Sequence, residues 1–325
     1  MTYKILVSDG LSEKGLALLR TAGEVTLNPK ITADELLAAL PEYHALVVRS
    51  RTKVTAQVVA AGQNLKVIGR AGVGVDNIDV AAAVARGITV VNSPMAASVS
   101  VAEHTFALML ALARHIPAAD ASLKQGQWDK SAFMGVELSG KLLGLLGLGR
   151  IGALVANRAV AFGMSVLAFD PYLTPDQIRQ RNAEPAPFGE VLSRSDYISL
   201  HLPLTAETRK LLGPEQFRRM KPGARLVCAA RGGVIDEDAL RAALDSGQLA
   251  GAALDVFAAE PPLADPRSVA EGTPGSIAAH PGVVATPHVG AQTAEAQARA
   301  GLAIAEEVTT VLQGKEPRWR VTSNE

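Results

Sequence analysis

One cysteine, Cys228, in 325 residues can build neither a disulfide framework nor a cysteine metal cluster. No spacing of His, Cys and acidic residues matches a metal site either. Charge of one sign is missing as well, because 32 Lys and Arg balance 32 Asp and Glu. A neutral chain has no global attraction for nucleic acid or for an anionic membrane surface, so neither is expected as a partner. No apolar run reaches the length that spans a bilayer. Residues 3–9 read as a strand and not as a signal peptide, which gives the expectation of a reducing, cytoplasmic compartment. No repeat of solenoid length and no low-complexity segment is found. What is abundant is apolar: 48% of residues are hydrophobic and 20% charged, enough for packed cores and too little charge for disorder. The length favours two domains.

One stretch organises the chain. Residues 142–146 are an apolar run that reads as a buried strand. Gly147, Gly149 and Gly152 follow at G-x-G-x-x-G spacing, and a helical pattern starts at Arg150 with Ile151, Val155, Ala159 and Phe162 on one side. A second apolar run, 165–169, ends in Asp170. Gly147 allows the tight turn, Gly149 lets the backbone approach a pyrophosphate, and Gly152 lets the helix sit close to the strand. The helix N-terminus offers N–H groups and partial positive charge to phosphates. Asp170 is placed to accept both ribose hydroxyls. It would repel a 2′-phosphate, and Pro171 and Tyr172 add no cation beside it, so the pattern predicts NAD over NADP.

On either side, strand and helix alternate. Strands are predicted at 4–8, 45–48, 66–69 and 89–91, with helices at 12–22, 32–40, 56–61 and 79–86; Thr32 and Glu35 form a capping box. Residues 92–100 read as a hinge loop, and 101–114 as a helix apolar on several sides, fit for a large core or a subunit contact. Beyond Asp170, helices are predicted at 188–193, 214–219, 237–246 and 293–312, and strands at 197–201, 225–229, 252–254 and 283–285. Residues 261–282, with Pro262, Pro266, Pro274 and Pro281, read as a loop. Such alternation predicts open parallel sheets, which bind ligands at the carboxyl ends of their strands.

Three groups with complementary chemistry stand just past predicted strands: Arg231, Glu260 and His288. Reduction of a 2-oxo acid by hydride needs a planar cation to hold the carboxylate in register. It needs an acid that titrates near neutrality to protonate the carbonyl oxygen. A carboxylate beside that acid orients it and favours its protonated form. Singly, each has a plain alternative: a surface turn at R-G-G, a solvated loop end before Pro-Pro, a helix cap after Pro287. Arg49 and Arg70, on strand-end loops, suit a dianion. His201 reads as shaping the cofactor cleft, His104 as a packed or interface histidine, and Cys228 as a small buried residue.

The motifs resemble one family. GLGRIG with Asp170, ARGGVIDE at 230–237, LDVFAAEPP at 254–262 and TPHVGAQTAEAQ at 286–297 are similar to the D-2-hydroxyacid dehydrogenases over nearly the whole chain. VVRSRTKVT at 47–55, GRAGVGVDNID at 69–79 and the segment 122–141 resemble the branch that acts on 3-phosphoglycerate. The resemblance implies two doubly wound α/β lobes: a flavodoxin-like catalytic lobe from residues 1–98 and 293–325, and a Rossmann-type NAD lobe, 99–292, inserted between them. It implies that Arg231 binds and polarises substrate, that His288 is the acid–base group and that Glu260 supports it. It assigns Gly147, Gly149, Arg150, Ile151, Gly152, Asp170, His201, Pro203, Ala229, Asp255 and Gly290 to NAD, with Asp255 near the nicotinamide. It assigns Arg49, Ser50, Arg70, Val73 and Gly74 to the substrate's phosphate or carboxylate. A homodimer through the 101–114 helix region is expected.

Two departures bear on the substrate. The family often carries Asn where Ala97 follows the hinge proline, and Asn where this chain has Cys228. These leave open an unphosphorylated acid, such as glyoxylate or hydroxypyruvate. The segment 265–280 is longer than the family's usual connection, and no C-terminal regulatory domain follows, so serine feedback is not expected. The rival of another class is an NAD-sensing, corepressor-like binding protein.

Overall fold

The computed structural model describes residues 2–260 and 276–322. The chain divides into two compact units, Met1–Ser98 with Ala291–Glu325, and Val99–Gly290.

In the first unit the order is β1 (Tyr3–Val7), α1 (Glu13–Ala22), β2 (Gly23–Leu27), α2 (Ala33–Ala39), β3 (Ala45–Val48), α3 (Ala56–Ala61), β4 (Val67–Arg70), α4 (Val80–Ala85) and β5 (Thr89–Asn92). The second unit opens with α5 (Ser98–Ala113) and α6 (Ile116–Lys124). It continues through β6 (Leu142–Leu146), α7 (Arg150–Ala161), β7 (Ser165–Phe169), α8 (Pro175–Arg179), β8 (Glu184–Pro185), α9 (Phe188–Arg194), β9 (Tyr197–Leu200), α10 (Pro214–Arg219), β10 (Ala224–Cys228), α11 (Glu237–Asp245), β11 (Leu249–Leu254) and β12 (Val283–Ala285). The chain then returns to the first unit with α12 (Ala294–Leu312) and β13 (Arg320–Val321).

The first unit's sheet runs β13-β5-β4-β3-β1-β2, parallel except for β13 on the edge. This is the flavodoxin-like order. The second runs β12-β11-β10-β9-β6-β7-β8, the order of a dinucleotide-binding sheet with its switch point between β6 and β9. Central strands such as β3, β9 and β11 are apolar on both faces because helices cover both. Side-chain caps start many of the helices: Ser12, Thr32, Thr55, Asp79, Thr174, Asp236 and Thr293 each accept a first-turn N–H. Helix α12 packs on α1 at glycine contacts so close that a Cβ at Gly15 would lie 2.5 Å from the Gly301 carbonyl oxygen.

Most predicted elements are present within a residue or two, and three readings are corrected. Phe162 is not on the buried face of α7. It is the C-cap residue, 43% exposed, with its ring stacked on Phe106. Helix α5 starts three residues earlier than predicted, because Ser98 and Ser100 are small enough to be buried within it. Strand β2, helices α6 and α8 and the two-residue strands β8 and β13 were not predicted. They are short, on sheet edges or exposed, and carry little periodicity. The 261–282 loop prediction falls mostly outside the described residues; within it, Ile277–Ala279 forms a 3-10 turn. No single described helix is long and apolar enough to cross a membrane. Among the described residues no group of three metal-ligating side chains could hold a metal ion.

Candidate active site

Helix α7 follows the glycine turn after β6. Its N-cap is Gly149, so no side chain caps the first turn. A Cβ built at Gly149 would meet nothing within 4 Å, whereas at Gly147 (φ 89°) it would lie 2.6 Å from the His201 carbonyl oxygen. At Gly152 it would lie 2.4 Å from the Gly147 carbonyl oxygen. Two glycines are thus required by packing, and the third faces open space where a ligand's phosphates fit against helix N–H groups. Arg150 and Ile151 form the first turn of that helix. His201, just past β9, is half-buried, and desolvation pushes its imidazole down to about 4, so it stays neutral near pH 7. Its Nε2 lies 3.0 Å from the Ser199 hydroxyl.

Asp170 ends β7, and its carboxylate accepts the Leu148 N–H at 2.9 Å and the Tyr172 N–H at 3.0 Å. Carboxylate oxygens accept more than one bond, so capacity for ribose hydroxyls remains. A cation not foreseen from the residues next to Asp170 is present: Arg181, beyond α8, donates to the Leu148 carbonyl. The donors, the open glycine and the carboxylate suit a dinucleotide such as NAD.

On the same sheet, three neighbouring strands end in register. Cys228 pairs with Leu254, and Leu254 with Ala285. The loops that follow carry Arg231, Glu260 and His288. The Arg231 loop is pressed on the β11 loop, because a Cβ at Gly232 would lie 1.8 Å from the Phe257 carbonyl oxygen. His288 Nδ1 lies 2.8 Å from Glu260 Oε2, while Glu260 Oε1 accepts the Phe257 N–H at 3.3 Å. The carboxylate accepts a hydrogen bond from Nδ1–H, which leaves Nε2 as the ring nitrogen able to exchange a proton. The hydrogen bond to Glu260 raises the His288 pKa against the effect of burial; Asp255 raises it further, and the nearby Arg231 charge lowers it. His288 has left-handed backbone geometry, φ 52°.

Asp255 holds this arrangement. It is 1% exposed, and its Oδ1 accepts the Thr286 hydroxyl at 2.6 Å and the Val289 N–H at 2.8 Å. Its Oδ2 accepts the Gly290 N–H at 2.8 Å, and its backbone carbonyl accepts the His288 N–H at 2.8 Å. His104 Nε2 lies 3.2 Å from Oδ1. Burial alone would raise the Asp255 pKa, but these hydrogen bonds outweigh it and hold the group below its usual value. This is the carboxylate that the resemblance assigns to the nicotinamide region. Ala229 is buried at the end of β10, and the Pro203 carbonyl accepts the Thr208 hydroxyl. Cys228, where the family often has Asn, is a buried thiol pushed up to about 11.

In the first unit, Val48 pairs with Arg70, so Arg49 and Arg70 follow adjacent strand positions. Arg49 lines a cavity of about 330 Å³ with Gly10, Leu11, Ser12, Ala71 and Gln297, and burial lowers its pKa. Arg51 points elsewhere: its Nε lies 3.1 Å from the Asp9 carboxylate and its guanidinium donates to the Ile31 carbonyl. Asp9 also accepts the Arg49 N–H at 2.6 Å and the Thr52 hydroxyl at 2.7 Å. Asn77 ties the Arg49 and Thr52 carbonyls together. Arg70 lies over Gly72, where a Cβ would be 1.5 Å from its Nη1; Val73 and Gly74 are half-buried beyond it, and Ser50 is exposed. Asp9, Asn77, His104 and Thr286 were not read as site residues. Asp9 and Thr286 carry the one available signal, a polar residue just past a strand.

Residues 106–290, more than half of the chain, match the family described as D-isomer specific 2-hydroxyacid dehydrogenase, NAD binding domain. A D-3-phosphoglycerate dehydrogenase of Methanocaldococcus jannaschii is 49% identical over 96% of this chain, which spans 58% of that relative's length. A Thermus thermophilus protein of known crystal structure is 36% identical, with a TM-score of 0.84 over 98% of this chain and 100% of its own. A glyoxylate reductase from Paecilomyes thermophila is 27% identical, with a TM-score of 0.87 over 100% of this chain and 99% of its own.

Proposed function

The chain belongs to the D-isomer specific 2-hydroxyacid dehydrogenase family, and from that premise we propose that it moves a hydride between NAD and a D-2-hydroxy acid, with 3-phospho-D-glycerate the preferred substrate. The observation that carries the reading is the His288–Glu260 pair at 2.8 Å, on a sheet whose α7 terminus is open to phosphates.

Gly147, Gly149, Arg150, Ile151 and Gly152 would hold the diphosphate, and Asp170 the ribose; His201, Pro203, Ala229 and Gly290 would line the rest. When bound, NAD supplies the hydride acceptor. Arg231 pairs with the substrate carboxylate through two parallel N–H donors. His288 Nε2 takes the C2 hydroxyl proton as the C2 hydrogen leaves with its electron pair, and returns a proton in the reverse direction. Glu260 keeps Nδ1 protonated and stabilises the imidazolium. Arg49, Ser50, Arg70, Val73 and Gly74 are assigned to the substrate's second anionic group. Asp255 serves the cofactor indirectly, through the 288–290 loop it fixes. The step would feed serine synthesis in the cytoplasm.

The test is NADH absorbance with a panel of phosphorylated and plain 2-oxo acids. 3-Phosphonooxypyruvate should be the best substrate, and Arg49→Ala should raise its KM far more than that of glyoxylate. Equal turnover of plain acids, insensitive to Arg49, would instead favour the second reading, an unphosphorylated acid. That reading is supported by Ala97, a buried side chain with no polar group.

A homodimer is also proposed, with its surface shifted downstream of the 101–114 helix region. Leu108, Met109 and Leu112 of α5 are buried within the chain. Four exposed apolar residues, Ile116, Leu123, Trp128 and Met134, follow beyond the end of that helix. Light scattering of Trp128→Ser/Met134→Ser should report monomer.

A further inference from the structure

We propose that His104 is a positioning residue: its Nε2–H, together with the Thr286 hydroxyl, orients the Asp255 carboxylate, which in turn fixes the backbone carrying His288. The proposal rests on the acid–base role given above to His288.

The proton on Nε2 follows from its surroundings. The ring nitrogen lies 3.2 Å from Asp255 Oδ1 and 3.1 Å from Thr286 Oγ1. The Thr286 proton is already donated to Oδ1 at 2.6 Å, so both oxygens present lone pairs to the ring. An unprotonated Nε2 would set a third lone pair against them, so Nε2 is the donor. The His104 side chain is only 18% exposed, and α5 packs directly on the loop. A Cβ at Gly290 would lie 3.0 Å from Asp255 Oδ2 and 3.6 Å from both His104 Cδ2 and Val101 Cγ2.

From Asp255 the restraint passes to the loop through three contacts, two at the carboxylate and one at the backbone carbonyl. The Val289 and Gly290 N–H groups donate to its two oxygens, and the His288 N–H donates to the Asp255 carbonyl. A non-glycine residue at φ 52° persists only where its surroundings over-determine it. Without His104, Oδ1 keeps Thr286 and Val289 as donors. The carboxylate then stays satisfied but loses one fixed direction, and His288 loses precision rather than place.

The test compares His104→Leu, which keeps bulk without a donor, with His104→Gln, whose amide can reach the same oxygens. His104→Leu should lower kcat about 10- to 100-fold, the scale of a small misplacement, with KM and NADH affinity within about twofold. His104→Gln should recover kcat to within about threefold. Independently of turnover, amide hydrogen exchange in the peptide spanning 288–290 should rise at least about tenfold in His104→Leu and return in His104→Gln. Unchanged exchange in His104→Leu, or equal loss of NADH affinity in both variants, would overturn the proposal. Should the unmodified protein reduce no 2-oxo acid, the role of His288 fails, and exchange alone still decides whether His104 holds the loop.

Discussion

Asp9 and Asp255 invite comparison, one in each unit. Both are buried carboxylates just past a strand, 4% and 1% exposed. Each accepts two backbone N–H groups from a distant loop and one threonine hydroxyl, and each has one basic side chain against it: Arg49, Thr52 and Arg51 for Asp9, Val289, Gly290, Thr286 and His104 for Asp255. The difference is the base. Arg51 is permanently charged, which suits a loop that presents a fixed cation, Arg49. Asp255 uses an imidazole, and its loop presents the group proposed to exchange protons. One device, a carboxylate that organises strand-end backbone, thus serves two chemistries.

The sharpest break between the loops is to remove what each presents. His288→Ala should lower kcat about 100- to 10,000-fold with NADH affinity nearly unchanged, as measured by steady-state kinetics and NADH fluorescence. Arg49→Ala should act chiefly on KM for the phosphorylated substrate. Next come the anchors. Asp9→Ala and Asp255→Ala should each destabilise by about 3–5 kcal/mol in urea unfolding, because each strands a set of buried donors. In protein that remains folded, Asp255→Ala should depress kcat and Asp9→Ala should raise KM; the same parameter moving in both would dissolve the comparison. A smaller effect is expected from Glu260→Gln. A neutral amide acceptor weakens the hydrogen bond that raises the His288 pKa and removes the Glu260 charge, which should move the alkaline limb of 2-oxo acid reduction to lower pH, since that direction needs the imidazolium. The smallest is the acid response of stability. A depressed Asp255 pKa gives stability that is full above the unfolded-chain value and fades as pH falls through the folded one. Asp255→Asn should flatten the denaturation curve in that acid range.

The parts written locally were legible. Strands β6 and β7, the glycines between them and Asp170 follow from apolar runs, turn geometry and a carboxylate at a strand end. The cap at Thr32 is equally local. The chemistry of Arg231, Glu260 and His288 was readable from side-chain type, and their adjacency follows once β10, β11 and β12 are neighbours in register. The supports were not legible. His104 meets Asp255 across 151 residues and Asp9 meets Thr52 across 43, pairings that no sequence window contains. Phe162 misled because helical periodicity does not say where the helix stops; one residue past its end, the ring turns outward.

Left-handed geometry at His288 sets selection for robustness against selection for turnover. Glycine or asparagine would relax that backbone, so a screen that scores melting temperature alone should reward His288→Gly or His288→Asn. The winners of such a screen would be sturdier proteins with no imidazole to shuttle protons.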